Sequence, residues 1–394
     1  MSTTSEQRRS YTGPILFSHG FRPFFLMAGL WAAFAMLIWI VSMSGGFDIP
    51  SHMLGADWHM HEMVFGYTTA VIAGFLMTAV PNWTGRMPVI GWPVAGLSGL
   101  WLAGRVALLV SAYLPIYLAP VIDVSFMIVL GAVILREIIA GKNWKNLVVL
   151  GMISLLTVAN IIFHIEAITG AAFGGYGSRM GVGVIIVLIS LIGGRVIPSF
   201  TRNWLAKRGA HKLPTPMNKF DRITLLVGVV TIVSWILWPE FVLARWLAGL
   251  AAILHFIRLS RWLGWRTLAE PLVAILHVGY FFIPLGFAMI ALGDLLPGWG
   301  RASQIPHAWT VGAVGIVTLA VMTRASLGHS GRALTATRSV SVVYLLIITA
   351  VLCRIAAEML PYSTSLLHLS GTAWILGFAG FALVYFPTFT RPKA

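Results

Sequence analysis

Cysteine and charge are what this chain of 394 residues has least of. The one cysteine, Cys353, excludes an internal disulfide and a thiolate metal cluster. Any transition metal would have to be held by His, Met, carboxylate or backbone oxygen. Charged residues make up only 10% of the chain, against roughly 25% in soluble proteins. Acids are the scarcer sign, with 12 Asp and Glu against 27 Lys and Arg. A soluble globular domain is excluded. The sequence predicts no cleavable signal peptide, because the first 22 residues are polar and the first apolar run is long enough to remain as a span.

What is present is apolar: 58% of the residues are hydrophobic, in runs of about 20, the length that crosses a bilayer. The fold class expected is an all-α polytopic membrane protein of about twelve transmembrane helices. The spans fall near 23–42, 58–80, 91–111, 114–135, 147–169, 178–198, 223–240, 241–259, 271–292, 306–325, 340–360 and 366–386. Pro81, Pro93, Pro239, Pro271, Pro306 and Pro361 lie near span ends and punctuate the connections.

The net charge of +15 would suit a nucleic-acid partner, but its distribution does not. Most Lys and Arg fall in the two termini and in the even-numbered connections. The odd-numbered connections hold only Arg179 and Arg301, and four more lie inside spans: Arg105, Arg195, Arg245 and Arg354. The positive-inside rule then places both termini in the cytoplasm. The richest connection, the basic loop 199–222 between helices six and seven, divides the chain into halves of six spans. It holds no soluble domain, so residues 1–394 are expected to form a single integral membrane domain.

With orientation fixed, the eleven histidines sort into two depths. His52, His59, His61, His164, His307 and His368 lie on the outer side, and His19, His211, His255, His277 and His329 on the inner side. A lone interfacial histidine needs no ligand, since one ring nitrogen stays wet. Six at one level, two of them in the stretch Trp58-His59-Met60-His61-Glu62-Met63, point to a metal or haem site. Residues two apart on a helix diverge by about 200°. His59 and His61 therefore either serve different sites, or His59 sits in a loose first turn behind a capping Asp57. Neutral imidazole suits copper, iron and zinc; Met60 and Met63 are more simply packing than ligands.

A repeat adds weight to His61. His61-Glu62-Met63-Val64-Phe65-Gly66 and His307-Ala308-Trp309-Thr310-Val311-Gly312 share a histidine with glycine five residues on. Each is followed by a Gly-Arg pair, Gly85-Arg86 and Gly331-Arg332. Span six gives a weaker echo in Ser178 and Gly183. The pattern predicts three four-helix units around a pseudo-threefold axis. Equivalent helices would offer His61 and His307 to one haem.

Buried charges are costly and are normally functional or paired. Arg105, Arg245 and Arg354 share the outer third of their spans with Asp123, Glu166 and Glu358. Either they pair as Arg–carboxylate bridges, or the arginines hold haem propionates. Metal ligation is assigned to some of His59, His61, His164, His307 and His368, with Glu62 and Glu166 as supporting carboxylates. On the inner face, His19, Arg22, Arg324, His329 and Arg332 would close a basic cap, and a second site using His19, His277 or His329 is the weaker alternative.

The blocks HGFRPFF, WHMHEMVFGY, AGFLMTAVPNWTGR, GGRVIPSFTRN and MTRASLGHSGR resemble those of NnrS family membrane proteins, in order and over nearly the whole chain. That resemblance implies a haem- and copper-containing protein of the bacterial inner membrane, tied to nitric oxide response and denitrifying metabolism. The spans and outer histidines also resemble the catalytic subunit of haem–copper oxidases, at the level of fold alone. Spans six and seven contain no histidine, which puts a dinuclear centre of that kind in doubt. Three functions follow: a b-type haem and copper protein that binds or reduces nitric oxide with electrons from a separate donor, a metal-dependent protection or assembly factor without turnover, or a twelve-helix secondary transporter.

Overall fold

In an apolar run of twenty or more residues inside lipid, every backbone polar group has to be satisfied internally, and the helix is the open-chain solution. The computed structural model describes residues 11–170, 172–295, 304–360 and 363–392. Among them there is no strand. Twelve helices are long and apolar enough to cross a membrane. We label them α1 (Phe21–Met43), α2 (Gly55–Thr84), α3 (Trp92–Leu109), α4 (Leu118–Ala140), α5 (Trp144–Thr169), α6 (Tyr176–Ala206), α7 (Lys219–Leu237), α8 (Val242–Arg266), α9 (Pro271–Leu292), α10 (Ala308–His329), α11 (Arg338–Met359) and α12 (Thr364–Thr390). The protein is a multi-pass membrane protein.

All twelve expected spans are present, several of them longer than their apolar stretch. Pro81, expected at a span end, lies inside α2, which continues to Thr84. Pro198 lies inside α6, which runs on to Ala206. A proline forfeits only one hydrogen bond of its own helix, so a polar last turn can continue past it. Pro93 and Pro271 do open α3 and α9. Pro361 and Arg301 lie outside the described residues.

The helices group into two compact units. Unit 1 comprises the chain up to Ser178, Met322–Ala333 and the segment from Phe378 onward; unit 2 comprises Arg179–Val321 and Leu334–Gly377. Unit 1 buries Phe21, Phe24, Phe25, Leu76, Trp101 and Leu130. Arg22 binds the C-terminal carbonyls of α12, donating from Nη1 to the oxygens of Thr388, Phe389 and Arg391 at 3.1 Å each. Unit 2 is built around Trp235, Leu272, Tyr280, Phe287 and Trp309.

Two departures from α-helical geometry coincide with the sequence repeat. In α2 the stretch Glu62–Tyr67, directly after His61, is a π-helix. In α10 the stretch Ala308–Gly315, directly after His307, is another. The weaker echo in α6 has no such turn. π turns free carbonyls that need new partners. Thr69 donates to Phe65 O and Gly66 O, and Thr318 donates to Val314 O and Gly315 O.

A buried histidine–carboxylate cluster as candidate metal centre

The first π turn delivers two neighbouring side chains, His61 and Glu62, into the interior of unit 1, where both are fully buried. His61 Nδ1 lies 3.1 Å from Glu62 Oε1. Gly66, within the same turn, has no side chain for a reason of space: a Cβ there would stand 2.4 Å from Arg105 Nη1 and 2.7 Å from Glu62 Oε2. Its carbonyl accepts from Trp101 Nε1 at 3.0 Å.

Three further helices complete the cluster. α4 supplies Asp123. α5 supplies Asn160 and His164, one helical turn apart and therefore on one face. α3 supplies Arg105. Asp123 Oδ2 accepts from Asn160 Nδ2 at 2.7 Å and lies 3.0 Å from His164 Nε2 and 3.2 Å from His61 Nε2. His61 Nε2 is also 2.9 Å from Asn160 Oδ1. Arg105 forks between the two acids, donating from Nη1 to Glu62 Oε2 at 2.6 Å and from Nη2 to Asp123 Oδ1. Trp31 of α1 donates to Glu62 Oε2 at 2.7 Å.

The ligand atoms of His61, Asp123 and His164 all lie within 4.8 Å of one another, and all three residues are buried. Around a four-coordinate ion with bonds of about 2.0 Å, ligand atoms stand roughly 3.3 Å apart. The two contacts of Asp123 Oδ2, at 3.2 Å to His61 Nε2 and 3.0 Å to His164 Nε2, are close to that. The charge count points the same way: two carboxylates face one guanidinium, so with neutral imidazoles one negative charge is left over in apolar surroundings. Such a charge is costly unless paired, and a cation between the rings would neutralise it. His164 Nδ1 is buried without a hydrogen-bond partner. Its ring borders a small cleft with His52, Met53 and Ser111, of about 20 Å³, room for one water.

Of the residues singled out from sequence, His61, His164, Glu62 and Arg105 meet here. Arg105 makes the Arg–carboxylate pairing rather than standing free for a propionate. His59 is elsewhere: its ring stacks on Trp39 at 5.0 Å with a 10° tilt, as the divergence of residues two apart requires. Asp57 does not cap the helix through its side chain; it accepts from Phe173 N at 2.6 Å. Glu166 receives the backbone N–H groups of Tyr176 and Gly177 at 2.7 and 3.0 Å and so caps α6. Asn160 stands outside the sequence expectations, and Asp123 enters them only as a buried charge. The spacing of Asn160 and His164 was the readable signal.

Unit 2 holds a second histidine–carboxylate pair. His307 Nδ1 bonds Glu358 Oε1, and Arg354 Nη1 lies 3.4 Å from the same oxygen. His307 is about a quarter exposed, unlike His61. Arg245 and His368 are half-buried in this unit. Among the expected inner residues, His19 and His329 flank Phe21 at 5.8 and 5.7 Å, while His277 Nε2 is 2.8 Å from Thr201 Oγ1.

The sequence profile of the NnrS protein matches residues 15–393. The chain belongs to the NnrS family. No curated protein sequence matches it. As an NnrS family membrane protein, it carries a buried His61–Asp123–His164 triad able to hold a metal ion.

Proposed function

We propose that this NnrS protein is a metal-dependent protein of the bacterial inner membrane, one integral domain with both termini cytoplasmic, whose His61, Asp123 and His164 hold a redox metal used on nitric oxide. The observation that carries the reading is the approach of His61 Nε2 and His164 Nε2 to one oxygen of Asp123, at 3.2 and 3.0 Å, deep in an apolar unit where two carboxylates share one guanidinium. Two imidazoles and a carboxylate suit Cu(II), and also non-haem Fe(II). The family resemblance favours copper. When bound, such an ion supplies one-electron chemistry and a binding position for a small ligand. Asn160 and Arg105 fix the Asp123 carboxylate, and Glu62 fixes the His61 ring, as supporting residues do in metal sites.

A haem does not fit on His61 in this arrangement, because Asp123 and Asn160 already lie within 3.2 Å of its Nε2. His307 is the better haem ligand. Glu358 takes its Nδ1, so Nε2 would be the atom to hold an iron, and Arg354, now 3.4 Å from the same Glu358 oxygen, would have to exchange that partner for a carboxylate of the cofactor.

Full burial of the cluster also favours a second reading, binding without turnover in a protection or assembly role. Purified protein, metal-replete and supplied with an electron donor, separates the two. Consumption of nitric oxide that is lost in Asp123→Asn supports the enzyme. Metal bound at one ion per chain with no consumption supports the second reading. Absence of metal from wild type rejects both.

A further inference from the structure

The ends of three helices of unit 1 meet around Phe21, the first residue of α1. Its ring stands 5.7 Å from His329 at the end of α10 and 6.4 Å from Phe389 near the end of α12. Tyr385 of α12 lies 6.3 Å from Phe389 and stands against Thr323 of α10. Thr323, Ser326 and Ser330 follow one another at intervals of three and four residues. They therefore share one stripe of the helix surface, and Thr323 shows that this stripe faces α12.

Buried donors without partners gather at this junction. Arg22, in the first turn of α1, is only 6% exposed. Its Nη1 is committed to the three carbonyls at the end of α12. Its Nε is buried and has no hydrogen-bond partner, and Nη2 makes no hydrogen bond among the described residues. Ser326 Oγ and Ser330 Oγ are also buried and unpartnered, although a helical serine can bond the carbonyl four residues back. A buried donor left unpaired is costly, most of all when it is charged. Arg332, exposed just beyond α10, acts electrostatically on both Arg22 and Tyr385. Among the described residues neither Arg22 nor Arg332 has a carboxylate partner. Packing accounts for the rings here, but not for two neighbouring cations and two idle hydroxyls.

We propose that the junction of α1, α10 and α12 is a phosphate-binding site. The Nε–Nη2 edge of Arg22 offers two parallel donors, the arrangement that takes two oxygens of one oxyanion. The hydroxyls of Ser326 and Ser330 donate to a further oxygen, Arg332 adds a second positive charge, and the start of α1 adds the positive end of its dipole. A planar carboxylate would be used up by the guanidinium edge alone, whereas a tetrahedral phosphate keeps oxygens for the serines. Two sources carry that group: the headgroup of an anionic phospholipid and free inorganic phosphate. Once bound, it ties three helix ends together. Arg22 stands nine residues before Trp31, the partner of Glu62, which is about 14 Å along α1. The phosphate site is thus separate from the His61–Asp123–His164 triad and does not depend on metal there.

The test titrates full-length protein in neutral detergent with inorganic phosphate in one arm and short-chain phosphatidylglycerol in the other. Ionic strength is held constant with chloride, and the rise of the unfolding midpoint reads the affinity. At least one ligand should raise the midpoint of wild type, and the arm that responds identifies the source. Ser326→Ala combined with Ser330→Ala removes no charge and no hydrogen bond of the protein, so the fold and any general attraction to anions persist. Affinity in that double variant should fall roughly tenfold, the worth of a hydrogen bond to a charged group. Arg22→Lys keeps the charge but loses the two-pronged edge, and should weaken binding further. If Arg22→Lys does not fold, the serine variant decides alone. No response of wild type to either ligand, or equal affinity in wild type and the double serine variant, would overturn the site.

Discussion

His61 and His164 come from α2 and α5, yet their ring centroids stand 4.8 Å apart, tilted by 44°. Both Nε2 atoms converge on one oxygen of Asp123. A metal ion binds neutral imidazole and carboxylate through their lone pairs, so the three groups that now meet through hydrogen-bonded contacts are the ones it would draw on.

Loss of a ligand should therefore empty the site. His164→Ala and Asp123→Asn should each reduce bound metal per chain to background, while His59→Ala, whose ring stacks on Trp39 away from the triad, should leave it unchanged. Elemental analysis of the three purified variants decides this. Equal metal content in all of them would reject the triad.

Arg105 is the counter-charge of two buried acids. Arg105→Met leaves both uncompensated and should cost about 3–5 kcal/mol, the usual consequence of breaking a buried pair. Arg105→Lys should recover only part, because a point charge cannot fork. Unfolding in detergent measures both. Arg195→Met, at an exposed position, serves as the comparison and should not shift the transition.

Gly66→Ala pushes a methyl group toward Arg105 Nη1 and Glu62 Oε2. An overpacked site of this kind costs roughly 1–3 kcal/mol. The guanidinium, being on a flexible chain, should yield first. We expect weakened metal retention together with a modest loss of stability, read from metal content after dialysis and from the unfolding midpoint.

On the proposed assignment of haem to unit 2, His307→Ala should abolish the haem absorption spectrum and Glu358→Gln should weaken it, because Glu358 bonds the ring at Nδ1. His211→Ala, in the basic loop, should not change it. Retention of the full spectrum in His307→Ala would remove haem from this residue.

Glu166→Ala should cost about 1 kcal/mol, the value of a lost helix cap, with no change in bound metal. A fall in metal content would restore Glu166 to the supporting role expected of it from sequence.

The spans were legible because bilayer thickness fixes a length and hydropathy reports it directly. Span ends were less so: Pro81 reads as a span end and the sixth span as ending at 198, but helix continues past each. His61, His164, Glu62 and Arg105 could be found because ionisable groups inside an apolar run are conspicuous. Asn160 was missed because an uncharged amide in such a run is not. Pairing between particular residues was beyond reach as well. Asp123 and Glu166 look alike in sequence, each an acid in the outer third of a span. Contacts between helices, which sequence does not display, made one a member of the cluster and the other a cap. The π turns were visible only as a His-to-Gly spacing repeated at Gly66 and Gly312.

Those two turns have a structural cost and a use. A wide turn takes up an additional residue, so the remainder of α2, from Thr68 to Thr84, has its rotational phase set by it. Deleting one residue between Glu62 and Tyr67 would turn that length by about 100°. Faces now pressed on α1 and α4 would be presented to lipid, while His61 stayed where it is. The same holds for α10 below His307. Each wide turn thus works as an indexing joint, letting the ligand-bearing tip and the packing shaft of one helix be aimed independently.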